Sequence, residues 1–233
     1  MTPVDVKKQA AAEAAVALVE SGMVVGLGTG STAAFAIDAL IRRAEDGLRI
    51  TCIPTSERSA EQARNGGLTV WEEPSAAGQI DITIDGADEI VAGTLNVIKG
   101  LGGALLREKI VAAASRRLVI IADDGKLVER LGQQTPVPVE VVRFGWQSTQ
   151  GRIEALGGVP VRRIGASGAP YVTDGGNYIL DCMFREIADM ERLERDLSAI
   201  VGVIDSGLFI GMATDVILGT GGQGSVRTLT RLA

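Results

Sequence analysis

Residues 24–40 read VVGLGTGSTAAFAIDAL: a short apolar run, a glycine-rich turn carrying hydroxyl side chains, and a helical pattern that opens at or near Thr32. A strand that passes through glycines into a helix presents backbone N–H groups at the helix N-terminus. There the dipole and the hydroxyls of Ser31 and Thr32 favour a phosphate. The stretch is not a dinucleotide fingerprint, because Ala33 stands where the third glycine of GxGxxG belongs, and not a Walker A loop, because no lysine precedes Ser31. Neither a dinucleotide nor ATP is therefore the expected ligand. A plainer alternative is a glycine turn with Ser31 or Thr32 as its N-cap.

The same beat extends on both sides of this unit. Upstream, Val6, Ala10, Ala14, Ala17 and Leu18 recur at helical spacing and stop at Gly22. Downstream, the patterns predict a helix over 32–44, a strand over 50–53, a helix over 57–65 and strands over 68–70 and 80–84. A turn over 88–93, a strand over 94–98, a helix over 104–114 and a strand over 118–122 follow. This alternation predicts an α/β fold, a Rossmann-like, mostly parallel sheet with helices on both faces. Near Gln133 the texture changes: helices are expected over 146–156 and 187–200, among strands over 159–164, 171–172 and 178–182. The two apolar runs of GLFIGMATDVILGT, residues 207–220, are expected to return to the first sheet. Residues 1–130 together with 203–233 are thus expected to form a Rossmann-like catalytic domain, with 131–202 a smaller inserted α+β domain.

Composition narrows the chemistry. The 233 residues are 46% hydrophobic and 22% charged, which supports a packed core rather than disorder. No apolar stretch approaches the roughly 20 residues of a membrane-spanning helix. The first helical pattern carries Asp5, Lys7, Lys8 and Glu13 where a secretion signal would be apolar. A cytoplasmic protein with no membrane partner is expected. Cys52 and Cys182 lie far apart and read as free thiols. A net charge of −6 offers no basic stripe for nucleic acid. Histidine is absent, which excludes Ser-His-Asp and Cys-His nucleophilic sites, histidine bases and most zinc designs. Acid–base chemistry must run on carboxylates and lysines.

Three further segments carry such groups at predicted strand ends, where open α/β sheets bind their ligands. DITIDGADEI, residues 81–90, ends a strand in Asp85, Gly86, Ala87 and Asp88. The two aspartates are spaced to accept hydrogen bonds from sugar hydroxyls or to bind Mg²⁺, and Glu89 reads as a solvated residue of the turn. IKGLGGALLREKI, residues 98–110, places Lys99 beside Gly100, Leu101 and Gly102, with Glu108 in the first turns of the next helix. Read alone, Glu108 is an ordinary partner for that helix dipole. IADDGKLV, residues 121–128, sets Lys126 after a turn. Free amides and hydroxyls at Thr29, Gly30, Ser31 and Thr32, paired acids and two lysines together suit a small phosphorylated sugar.

These blocks, with TPVPVEV, VTDGGNYILD and GLFIGMATDVILGT, occur in an order that resembles the type A ribose-5-phosphate isomerases through nearly the whole chain. The resemblance implies reversible conversion of D-ribose 5-phosphate to D-ribulose 5-phosphate in the pentose phosphate pathway, with no metal and no organic cofactor, by a homodimer or homotetramer. It makes Glu108 the proton acceptor and assigns substrate binding to Thr29–Thr32, Asp85–Asp88, Lys99–Gly102 and Lys126. Two positions depart from the family pattern: Leu101, where many members have glycine, and Ser206, where histidine often stands.

Such a reaction needs one group to move a proton between neighbouring carbons and others to stabilise an enediolate. Glu108 is the candidate shuttle. Lys99 with Asp85 or Asp88 is the candidate pair for ring opening and the oxyanion, and Ser31, Thr32 and Lys126, with Lys7 as a lesser candidate, are placed for the phosphate. Two alternatives stand beside this reading. One is a non-catalytic sugar-phosphate-sensing domain, against which no basic helix-turn-helix precedes the fold. The other is a different enzyme of similar fold, such as an aminosugar-phosphate isomerase/deaminase, which would be expected to use a histidine, or a CoA transferase.

Overall fold

The computed structural model describes residues 1–71, 79–185, 187, 189–221 and 224–231. The chain opens with helix α1 (Pro3–Val16), whose first turn is fixed by a reciprocal cap between Thr2 and Asp5 and by Pro3 at the position where a missing N–H costs nothing. Strand β1 (Val24–Leu27), helix α2 (Ser31–Glu45), β2 (Thr51–Pro54), α3 (Glu57–Asn65), β3 (Thr69–Val70) and β4 (Ile82–Gly86) follow. Next come the short strands β5 (Glu89–Val91) and β6 (Val97–Ile98), helix α4 (Leu105–Ala113), β7 (Leu118–Asp123), a single 3₁₀ turn over Asp124–Lys126 and β8 (Leu127–Val128). The remainder is β9 (Val137–Val141), α5 (Trp146–Ala155), β10 (Gly158–Arg162), β11 (Tyr178–Phe184), α6 (Met190–Ser198), β12 (Val203–Ser206), β13 (Leu208–Phe209), β14 (Asp215–Thr220) and β15 (Ser225–Thr230).

The large sheet runs β15-β14-β7-β4-β1-β2-β3, parallel throughout except for the β14–β15 pair. Counted in chain order, its six parallel strands lie 3-2-1-4-5-6, the doubly wound order, and the order reverses between β1 and β4. Leu27 is level with Pro54 of β2 and Ile84 of β4, so three strands deliver their C-terminal ends to that switch point together. Strand alternation divides the core. Val25, Leu27, Ile84, Val119 and Ile121 pack under α1, α2 and α3, while Leu118, Ile120, Val216 and Leu218 face Ala112 of α4 and the small strands.

A second, antiparallel sheet runs β10-β11-β9-β12 and encloses its own core with α5 and α6, around Val139, Ile153, Leu180 and Leu197. Between the two lies a small sheet of order β13-β6-β5-β8.

Several expectations need correction. Of the two apolar runs over 207–220, only β14 joins the large sheet; β13 pairs with β6, and β15 supplies an unexpected final strand. The turn expected over 88–93 is instead β5 with a tight bend, in which Leu95 is the one non-glycine residue at positive φ among those described. Tyr171 and Val172 form no strand, and only an isolated bridge joins Ile164 to Pro170. The helix expected over 187–200 begins at Met190, because the Asp189 side chain accepts the Arg192 N–H and caps it there.

Candidate active site

The loop after β1 is shaped by what lies beneath it. A Cβ at Gly28 would sit 2.0 Å from Asp85 Oδ1, so only glycine lets this backbone cross the end of β4. Asp85 Oδ1 accepts the N–H of Thr29 at 3.1 Å and of Gly86 at 2.7 Å, tying the two strand ends together. The Thr29 hydroxyl is held from the other side by Thr55 at 2.7 Å and Ser56 at 2.8 Å. Gly30, at φ 119°, caps α2 without any side-chain bond. The plainer reading of Ser31 or Thr32 as the N-cap is thereby replaced: both residues are already in the helix, and the amides of its first turn have no intrahelical acceptor. That turn, open at its N-terminus, is the one the sequence offers to an anion.

Lys99 stands opposite. Only 2% exposed, it places Nζ 2.8 Å from Asp85 Oδ2, 3.4 Å from Glu108 Oε1 and 2.7 Å from the Gly86 carbonyl oxygen. Helix α4 turns about 100° per residue, so of its three adjacent charges only Glu108 points inward. Arg107 reaches Glu57 at 2.8 Å, and Lys109 reaches Asp205 at 2.5 Å. Glu108 is 2% exposed, and its Oε2 has no hydrogen-bond partner among the described residues. A buried carboxylate oxygen left open in this way is rare unless something else comes to meet it.

Charges here outnumber what one lysine can neutralise. Burial raises the pKa of Glu108 to about 8; Lys99 pulls against that shift, and the neighbouring Asp85 and Asp88 reinforce it. Burial also raises Asp85, against the pull of Lys99. Burial would lower Lys99, but Asp85 and Glu108 outweigh it, and the ammonium is held in its charged form.

These elements form a cleft of about 100 Å³ lined by Thr29, Gly30, Ser31, Thr32, Gly86, Ala87, Asp88, Lys99, Gly100, Gly102, Glu108 and Lys126, and by Lys8. Apart from Lys7, the sequence-predicted residues are brought together with two exceptions. Asp85 lies behind Lys99 rather than on the wall, and the Leu101 side chain turns outward, 41% exposed, with its N–H donating to Asp88 Oδ2 at 3.0 Å. Asp85 is committed to an ammonium and two amides, an arrangement that serves a lysine and not Mg²⁺. Among the described residues, no group of three or more His, Cys, Asp or Glu could hold a metal ion.

Two corrections concern single residues. Lys7 pairs with Asp124 at 2.6 Å, and its neighbour Lys8 enters the cleft, 3.0 Å from the Ser31 hydroxyl. Glu89 is no solvated acid. It is fully buried, and its two oxygens accept four consecutive N–H groups, from Gly132, Gln133, Gln134 and Thr135, at 2.5–3.3 Å. Lys8 had a signal, since it shares a helical stripe with the small residues Ala12 and Ala15. Glu89 had none, because its partners lie more than forty positions away.

Residues 51–223 match the family model described as ribose 5-phosphate isomerase A (phosphoriboisomerase A). The chain is 56% identical over 222 residues to ribose-5-phosphate isomerase A of Synechococcus sp. (strain JA-3-3Ab), covering 94% of this chain and 95% of that one. It is 55% identical to the protein of the same name from Gloeobacter violaceus, covering 97% and 96%. A solved D-ribose-5-phosphate isomerase in complex with phospho-erythronic acid superposes with a TM-score of 0.94 at 35% identity over 99% of this chain and 100% of that one. The enzyme of Methanocaldococcus jannaschii does so with a TM-score of 0.91 at 38% identity over 96% and 98%. Likeness of this degree to catalysts does not favour the sugar-phosphate sensor. The chain belongs to the ribose-5-phosphate isomerase A family and is an aldose–ketose isomerase of ribose 5-phosphate.

Proposed function

We propose that the isomerisation takes place in this cleft through an enediolate, with Glu108 as the proton shuttle. From the opened aldose, Glu108 takes the proton at C2, the electron pair moves to make the C1–C2 double bond, and the carbonyl oxygen at C1 gains the negative charge. The hydroxyl proton then passes from O2 to O1, and the same carboxyl returns its proton to C1 as the carbonyl forms at C2. The observation that carries this reading is the buried, unpartnered Glu108 Oε2 on the cleft wall, with Lys99 3.4 Å from its sister oxygen. Lys99, charged and desolvated, is placed to stabilise the oxyanion. Asp85 holds the lysine, and Asp88 is the acid available to the sugar hydroxyls and to ring opening.

At the other end, the open first turn of α2 with Ser31, Thr32, Lys8 and Lys126 is suited to the phosphate. Binding energy gathered there orients C1 and C2 against Glu108. Phospho-erythronic acid, the ligand named for a close structural relative, is expected to bind here too, its carboxylate imitating the planar enediolate.

All the lining residues fall within the first 130 positions. That supports a catalytic unit of 1–130 with 203–233 and a smaller unit of 131–202, with β12 pairing across the division to β9. A homodimer or homotetramer is supported by the apolar outer side of the second sheet, where Val159, Val161 and Met183 are exposed on adjacent strands. None of the helices among the described residues is long and apolar enough to cross a membrane, in keeping with a cytoplasmic location.

Glu108→Gln keeps the shape and removes the base. Assayed with EDTA present, this variant should lose isomerase activity by at least about a thousandfold while ribose 5-phosphate affinity by calorimetry stays within about tenfold. Turnover near the native rate would rule out the shuttle.

A further inference from the structure

Arg163, just beyond β10, lies outside the cleft, yet it grips the loop that forms one of the cleft walls. Its side chain is 13% exposed. One edge of the guanidinium is docked on Asp181 of β11, Nε to Oδ2 at 2.9 Å and Nη2 to Oδ1 at 2.5 Å. The remaining Nη1 donates to the carbonyl oxygens of Gly100 at 2.9 Å and Leu101 at 3.1 Å. Those two carbonyls belong to the segment between Lys99 and the helix that carries Glu108.

The described peptides are all trans, and a trans peptide points its N–H opposite its C=O. With the Gly100 oxygen on Arg163, the Leu101 N–H faces the other way and meets Asp88 at 3.0 Å. That peptide is strung between a cation on its oxygen and a carboxylate on its hydrogen. The next one repeats the orientation: with the Leu101 oxygen on Arg163, the Gly102 N–H is turned away from the arginine, on a residue that lines the cleft. Without Arg163, two carbonyl oxygens would be free to swing toward an anionic intermediate. A lysine could not hold them, since the contact needs one planar fork to serve a carboxylate and two carbonyls at once.

We propose that Arg163, braced by Asp181, is a positioning residue for the isomerisation: from the second sheet it fixes the backbone of residues 100–102, and through it Asp88, at the sugar end of the cleft. This rests on the cleft being the active site. The phosphate end, built from α1, α2 and the turn at Lys126, has no bond to Arg163 and should not register its loss.

The test compares Arg163→Met with the native enzyme in turnover and in inhibition by two probes, inorganic phosphate and phospho-erythronic acid. Turnover should fall about 30- to 100-fold with KM changed less than about threefold, the size expected for displaced catalytic groups. Phospho-erythronic acid should bind about tenfold more weakly, with phosphate inhibition within about twofold of native, and Arg163→Lys should recover less than a tenth of the lost turnover. Equal weakening of both probes would show general loosening and overturn the proposal, as would unchanged turnover. Should Arg163→Met fail to fold, Asp181→Asn must show the same split between the probes for the proposal to stand. If native enzyme binds no phospho-erythronic acid, or Glu108→Gln remains active, the cleft reading falls and takes this one with it. If native enzyme binds the acid and Arg163→Met binds it equally well, the arginine alone is misassigned.

Discussion

At the scale of single residues, the site is a problem in charge distribution. Lys99 meets two carboxyl groups, Asp85 at 2.8 Å and Glu108 at 3.4 Å, all three out of water. The closer one keeps the lysine charged, and the farther one keeps an oxygen open and a pKa near 8. A carboxyl must be ionised to accept a proton from carbon, and with its pKa raised it is mostly protonated below that value. kcat/KM, which reports on the free enzyme, should therefore climb about tenfold per pH unit below the titration of Glu108 and level off above about 8. A profile flat from pH 6 to 9 would show that this carboxyl does not limit the reaction. Asp85 and Lys99 stand out in the sequence through DGAD and KG, and Glu108 through the family resemblance. Their pairing does not, because nothing in the spacing shows that Asp85 stands behind the lysine and Glu108 beside it.

At the scale of elements, the short strand β5 shows how a local reading goes astray. Asp88 and Glu89 are adjacent acids in one turn, of which the sequence assigns Asp88 to the ligand and Glu89 to solvent. A strand alternates its side chains, so Asp88 faces the cleft while Glu89 is driven inward to four amides of residues 132–135. This carboxylate pins the β5–β6 hairpin, which carries Asp88 and Lys99, to the segment that follows Lys126. In Glu89→Gln an NH₂ group would oppose two of those donors. The variant should lose about 2–4 kcal/mol of stability in urea unfolding, and a loss below about 0.5 kcal/mol would mean the amides find other partners. Helix α1 misleads for another reason. Its alanines surround the axis, so a run through Val6, Ala10 and Ala14 suggests one buried face, whereas Ala11, Ala12, Ala15 and Val16 are the buried ones. That shift of one residue exchanges Lys7 for Lys8.

At the scale of the whole molecule, the parallel sheet is legible because strand, glycine turn and helix repeat along the first half of the chain. The strand pairing is not: β13 and β14 have similar apolar runs, and only long-range partners decide which sheet each joins. The second sheet leaves Val159 and Val161 exposed on edge strand β10. Sedimentation of the native protein should show a species heavier than one 24.3 kDa chain. Changing both valines to lysine should favour the single chain, since charges on an edge strand oppose pairing. A native single-chain species would remove the oligomer from the account.

On the far side of the large sheet, a Cβ at Gly219 would lie 1.8 Å from the Lys7 carbonyl oxygen. Hydrogen alone occupies that seam, and it lets α1 settle flush against β14 with Lys8 leaning over the start of α2. In the proposed phosphate site, the placing of Lys8 is thus gauged by an atom-sized gap more than two hundred positions further along the chain.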